Sequence, residues 1–136
     1  MPDPCCLDTS ALIAFYEDEP GADEVFSLLD RAENTDSEIF FSFMSRYELL
    51  YLSLRENTPR STELLDILKD LNIKEIPFSE EILNKAAQIK GTPKHKCSMA
   101  DSWIAASASC SNAILFHKDK EMTALGVKNR HITQSF

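Results

Sequence analysis

The chain has 136 residues, 43% of them hydrophobic and 26% charged, which suits a globular protein of one domain with a real core. No apolar run approaches the roughly 18 residues of a membrane span, and MPDPCCLDTS has neither the basic nor the apolar part of a secretion signal. The net charge of −8 is uneven: residues 1–84 carry 19 acids against 6 Lys/Arg, and residues 85–136 carry 3 against 8, so the acidic part disfavours non-specific nucleic-acid binding and suits a basic protein partner, while the basic part can meet a phosphate backbone.

Taken in chain order, a short run ending at Cys5-Cys6-Leu7 reads as a strand, followed by a helical turn or two over Ala11–Tyr16. After Pro20-Gly21, Val25, Leu28, Leu29 and Ala32 recur at helical spacing. Glu38–Phe43 (EIFFSF) has strand length, and the helix from about Ser45 carries Tyr47, Leu50, Tyr51 and Leu54 on one stripe until Asn57-Thr58-Pro59. Leu64, Leu65, Leu68 and Leu71 mark another helix, and Ile73–Phe78 (IKEIPF) alternates like a strand limited by Pro77. Ser79 is placed to cap a helix with Ile82, Leu83, Ala86 and Ile89, stopped by Gly91 and Pro93. Ser98–Ser109 reads as a helix and Ala113–Phe116 (AILF) as a strand. A short helix near Glu121–Leu125 and a weak strand near His131–Thr133 follow. No linker, repeat or low-complexity stretch divides the chain, so residues 1–136 are expected to form one domain. The alternation of strand and helix predicts an α/β fold with a parallel sheet covered on both faces.

Cys5, Cys6, Cys97 and Cys110 form no C-x-x-C pattern, and the adjacent pair cannot make a relaxed disulfide. They are expected to be reduced thiols, as in a cytoplasmic protein.

Parallel sheets gather their reactive groups outside the carboxyl ends of the strands. Asp8 directly follows the first predicted strand, and Asp119 lies just beyond AILF. Glu48 and Asp101 fall in the predicted first turns of two helices, so all four can share that edge. Each also has a structural reading. Ser45-x-x-Glu48 matches a capping box, and Ser98-x-x-Asp101 nearly does. Asp8-Thr9-Ser10 can cap a helix, and Asp119 can be a turn charge between Lys118 and Lys120. Together they are costly, because two carboxylates about 5 Å apart repel by roughly 3 kcal/mol at an effective dielectric of about 20. Hard divalent cations relieve such repulsion, prefer oxygen ligands and suit phosphodiester hydrolysis. No zinc-protease H-E-x-x-H, Walker loop, G-x-S-x-G or dinucleotide-binding glycine run offers another chemistry.

LDTSALIAFYEDEPGA, SRYELLY, MADSWIAAS and LFHKDKEMTAL, in that order, resemble the motifs of the PIN-domain family, and most of all the VapC-type toxins of VapBC toxin–antitoxin pairs. The resemblance spans nearly the whole chain. It implies a PIN-like three-layer α/β/α sandwich around a central, mainly parallel sheet of about five strands. It implies an endoribonuclease dependent on Mg²⁺ or Mn²⁺, a homodimer, and inhibition by a cognate antitoxin. Carried over residue by residue, Asp8 and Asp101 match the main metal ligands. Glu48 and Asp119 match acids that complete the shell directly or through water. The fit is poorer at 117–122. His117 stands where Thr or Ser is usual, Glu121 where a second Asp is common, and Met122 where Phe is common. Glu121 is a weaker candidate for reaching the metal through water. Thr9 and Ser10 are supporting residues of the site. Lys94, His95, Lys96, His117, Lys118 and Lys120 are candidate phosphate contacts. Trp103 reads as a core anchor, with base stacking as the lesser alternative, and the small residues Ala100, Ala105 and Ala106 let its helix lie close to the sheet.

Two other readings stay open. One is a PIN-like protein that binds a partner but cleaves nothing. The other is a different acid-pocket α/β protein, such as a phosphotransfer receiver or a phosphatase. A phosphatase of that kind wants Asp-x-Asp after the first strand, where this chain has Asp8-Thr9-Ser10.

Overall fold

The computed structural model describes residues 3–133. Its elements are β1 (Cys5–Leu7), α1 (Thr9–Glu17), α2 (Ala22–Asn34), β2 (Ile39–Ser42), α3 (Phe43–Glu56) and α4 (Arg60–Asp70). Then follow β3 (Lys74–Ile76), α5 (Glu80–Gly91), α6 (Met99–Cys110) and β4 (Ile114–His117). A 3₁₀ turn over Met122–Ala124 leads to β5 (Asn129–His131). All pairings are parallel, in the order β3-β2-β1-β4-β5. This is the three-layer α/β/α sandwich expected from the sequence.

The central strand explains the layering. Cys5 and Leu7 enter one core with α1–α4, and Cys6 enters the other with α5 and α6. Successive side chains of a strand point to opposite faces, and a central parallel strand is buried on both. The chain runs outward through β2 and β3, then returns to β4 on the other side of β1. Strand order therefore reverses between β1 and β4, which opens a crevice at their carboxyl ends.

Local chemistry sets the boundaries. Asp8 caps α1, whose first residue is Thr9, so that helix is longer than the apolar spacing alone suggested. Ser79 caps α5 by accepting a hydrogen bond from the Ile82 backbone N–H at 3.2 Å. Gly21 has φ +102°, and a Cβ there would stand 2.6 Å from Ile132 Cδ1, so glycine serves both the turn into α2 and its close approach to the β5 end.

Two expectations about α3 need correction. The helix begins at Phe43, because Ser42 ends β2 and its Oγ accepts from the Met44 N–H at 3.1 Å. Ser45 is therefore inside the helix, is no cap, and Glu48 lies in the second turn. The stripe of Tyr47, Leu50, Tyr51 and Leu54 is also not the core face: Tyr47 is 61% and Leu54 83% exposed, while Ser45 and Leu49 are buried. No helix among the described residues is long and apolar enough to cross a membrane. The four cysteines are free thiols.

Candidate active site

Asp8 stands at the switch point. Its backbone N–H donates to Phe116 O of β4 at 3.0 Å, which fixes it between the two central strand ends. Its Oδ1 accepts from the Ala11 N–H at 2.9 Å and from Ser10 Oγ at 2.7 Å. The Ser10 hydroxyl in turn accepts from the Lys118 N–H at 3.1 Å, tying the loop after β4 to the first turn of α1. Asp8 is thus a helix cap and a buried carboxylate at once, only 5% exposed. Burial pushes its pKa up to about 7; the hydrogen bonds from Ser10 and Ala11 oppose this, and the charges of Asp101 and Glu48 add to it.

Glu48 reaches the same region from α3. Its Oε1 accepts from Thr9 Oγ1 at 2.6 Å, and Thr9 Oγ1 is also 2.9 Å from Ser45 Oγ. Burial raises the Glu48 pKa, the Thr9 hydrogen bond lowers it, and the Asp101 charge raises it. Ser45 is wholly buried, and its real role is this contact. The i, i+3 spacing of Ser45 and Glu48 on one helix face was a signal of it.

Asp101 lies in the first turn of α6. The Ser98 cap accepts from the Asp101 N–H at 3.1 Å. Burial raises the Asp101 pKa, hydrogen bonds from Ser98 lower it, and the charges of Asp119 and Glu121 raise it. Ala105, Ala106 and Ala108 are fully buried and let α6 pack close to the sheet. Asp119 follows β4, and its Oδ1 accepts from the Glu121 N–H at 2.9 Å. Glu121 itself is exposed. Residues 85–136 contain three acids, and all three, Asp101, Asp119 and Glu121, lie here.

His117 corrects an expectation. It is wholly buried, its Nδ1 accepts from the Asp119 N–H at 3.1 Å, and its Nε2 is 2.9 Å from Asn129 Oδ1. Because Nδ1 accepts, it carries no proton, and Nε2–H is the donor to Asn129 Oδ1; burial lowers the ring's pKa in the same direction. Both nitrogens are committed inside the fold, which removes His117 from the candidate phosphate contacts. It orients the backbone at Asp119 instead. Sequence reasoning missed Asn129, and nothing local to that residue signals the pairing.

The other cations are spread around the site. Lys118 Nζ is 3.5 Å from Glu19, and Lys120 is exposed. Lys94 and Lys96 are exposed in the loop before α6, and His95 Nδ1 is 2.9 Å from Ile89 O, which folds that loop back on α5.

Burial, hydrogen-bond donors and other carboxylates are the main influences on Asp8, Glu48 and Asp101, and none of the three enters an ion pair among the described residues. An all-oxygen donor set with uncompensated negative charge fits a hard divalent cation in its chemistry. The acids surround the crevice without closing on a point: among the described residues no three His, Cys, Asp or Glu side chains stand together as a ready metal cage.

A family model described as PIN domain matches residues 5–128. No curated protein matches the sequence. Among solved structures, the chain is similar to one in VapBC2 from Rickettsia felis bound to a DNA fragment from their promoter, with a TM-score of 0.77 at 18% identity over 92% of this chain and 96% of that one. It is similar to VapBC-1 from nontypeable Haemophilus influenzae, with a TM-score of 0.75 at 20% identity over 95% and 98%. VapBC-5 from Mycobacterium tuberculosis gives a TM-score of 0.65 at 20% identity over 95% and 97%.

Proposed function

The chain belongs to the PIN domain family, and from that premise we propose that it is a Mg²⁺- or Mn²⁺-dependent endoribonuclease, the toxin of a toxin–antitoxin pair. The observation that carries this reading is the group Asp8, Glu48 and Asp101 at the β1–β4 switch point: Asp8 is buried, the three carboxylates lie close enough to act on one another, and none of them enters an ion pair among the described residues. Asp8 and Asp101 would hold the ion. Glu48 and Asp119 would complete its surroundings directly or through water, and Glu121 would act through water. When bound, the ion lowers the pKa of a water and stabilises charge on phosphoryl oxygens. Thr9 orients Glu48, Ser10 orients Asp8, and His117 orients the turn that carries Asp119. Lys94, His95, Lys96, Lys118 and Lys120 are left as phosphate contacts.

The test is cleavage of RNA by wild type and Asp8→Asn, with Mg²⁺ or Mn²⁺ and with EDTA. Cleavage by wild type in metal alone supports the reading, and equal cleavage by both proteins overturns it. A second reading, a PIN-fold protein that binds without cleaving, draws on the open spacing of the acids. Antitoxin binding with no cleavage in either metal would select it. Membership of the family sets aside the receiver and phosphatase readings.

Partners follow from two surfaces. A groove of about 540 Å³ between α1, α2 and α4 has an apolar floor including Phe26, Leu29 and Ile73, and a rim of Asp30, Glu33 and Asp70 beside the Glu38–Lys74 ion pair, which is 3.0 Å apart. It suits an amphipathic, basic antitoxin segment. The exposed Tyr47, Leu50 and Leu54 on α3 suit a homodimer contact. A cytoplasmic location is consistent with four free thiols.

A further inference from the structure

Three aromatic rings meet at the carboxyl edge of the sheet, on the β2–β3 side of the crevice. Phe43 follows the end of β2, Phe78 follows the end of β3, and Trp103 lies in the first turns of α6, two residues beyond Asp101. Phe43 and Trp103 meet edge-on with centroids 5.6 Å apart. Phe78 stands 6.2 Å from Phe43 and 6.1 Å from Trp103. Phe43 and Trp103 are half-buried, whereas Phe78 is 55% exposed. Phe78 is therefore an exposed ring held in place by two anchored ones.

We propose that Phe78, presented by Phe43 and Trp103, is a stacking platform for a nucleobase of single-stranded RNA entering the carboxylate crevice. The proposal rests on the nuclease reading, because that reading supplies the strand. Proteins that track single strands combine aromatic faces with cations along the backbone path. Both are here. Arg46 lies one turn after Phe43 on α3, and it is half exposed although it pairs with Glu75 at 2.8 Å. Lys94 and Lys96 lie in the loop that leads into α6, are exposed, and take part in no ion pair among the described residues. These cations suit a polyanion, and the rigid ring costs little ordering when a base stacks on it. Trp103 also gains a function this way: besides anchoring α6, it fixes Phe78.

Trp103 is the one tryptophan of the chain, so its fluorescence reports on the cluster. The test titrates a short single-stranded oligoadenylate, and the same sequence in a duplex, into Asp101→Asn protein, so that affinity is read without turnover. The expected result is Trp103 quenching by the single strand only. Phe78→Ala should weaken that binding by about 5- to 150-fold, the range for losing one base–aromatic stack, with recovery in Phe78→Tyr. Equal affinity of Phe78→Ala and its parent overturns the proposal. So does a change in sedimentation of Phe78→Ala with RNA affinity unchanged, which would make the rings a protein contact. The nuclease reading fails separately, on cleavage by wild type. Quenching without cleavage keeps the platform and sinks the nuclease, and cleavage with no dependence on Phe78 does the reverse.

Discussion

Thr9 Oγ1 lies 2.6 Å from Glu48 Oε1, across 39 positions of sequence, and the same hydroxyl lies 2.9 Å from Ser45 Oγ. One threonine thus joins the first turn of α1 to two successive turns of α3. Thr9→Val keeps the shape and removes the hydroxyl, leaving Ser45 without that partner. A buried hydrogen bond of this kind contributes about 1 kcal/mol, more when one partner is charged. The variant is expected to fold, to lose a few degrees of melting temperature, and to cleave RNA about tenfold more slowly. Calorimetry and a cleavage time course measure the two effects, and unchanged cleavage would show that Glu48 needs no orienting.

Asp8 makes stability depend on pH in a defined direction. Its proton is held with a pKa of about 7 in the folded chain against 3.8 unperturbed, with burial the main cause. The folded state binds that proton more tightly, so the contribution is fully present below about pH 4 and is lost as pH rises through about 7. In EDTA, urea denaturation should show this loss with a slope of at most about 1.4 kcal/mol per pH unit. Asp8→Asn should flatten the profile over that window. A profile that rises between pH 4 and 7, and keeps rising in Asp8→Asn, would show that other groups dominate.

Asp101 separates capping from charge repulsion. If repulsion by neighbouring acids outweighs the cap contact with Ser98, Asp101→Asn raises the melting temperature of metal-free protein by about 4 °C for each kcal/mol relieved. It also weakens stabilisation by Mn²⁺. A simple cap predicts a lower melting temperature with or without metal, and thermal shift in EDTA and in Mn²⁺ reads both.

The exposed lysines should act through phosphates alone. Lys94→Ala and Lys96→Ala are each expected to reduce the salt dependence of RNA binding by about one unit of log–log slope. Binding isotherms at several salt concentrations measure it. An unchanged slope would remove the loop from the RNA path.

His117 should behave as a core residue. His117→Ala leaves a cavity and takes the donor away from Asn129 Oδ1, at a cost of about 2–4 kcal/mol in stability. The turn that carries Asp119 also loses its contact with His117, so cleavage by the folded fraction should fall, as equilibrium denaturation and a cleavage assay on the native pool would show.

The first four strands and the α/β alternation were legible because apolar spacing and caps are local, whereas the last strand, expected near His131–Thr133, runs over Asn129–His131. Ser79 and Ser98 announce α5 and α6 through their own side chains. The errors arose where two local signals competed. Ser42 and Ser45 both precede an apolar stretch, and β2 decides between them by ending at Ser42, where Ser107 meets its hydroxyl at 2.9 Å. On α3, helical spacing identified an apolar face correctly but could not say whether the rest of the fold would cover it, and the covered face is that of Ser45 and Leu49. His117 was unreadable for a different reason. Its burial depends on Asn129 in β5, which local pattern does not reveal.

The pairing of β1 with β4 aligns Cys5 with Ile114 and Leu7 with Phe116. A ribosome makes β4 more than a hundred residues after β1. Asp8 cannot meet the β4 end until residue 116 has been synthesised, and closing so distant a contact is slow. Whatever chemistry the crevice performs is withheld from the growing polypeptide, and fragments that stop before residue 114 are inert by construction.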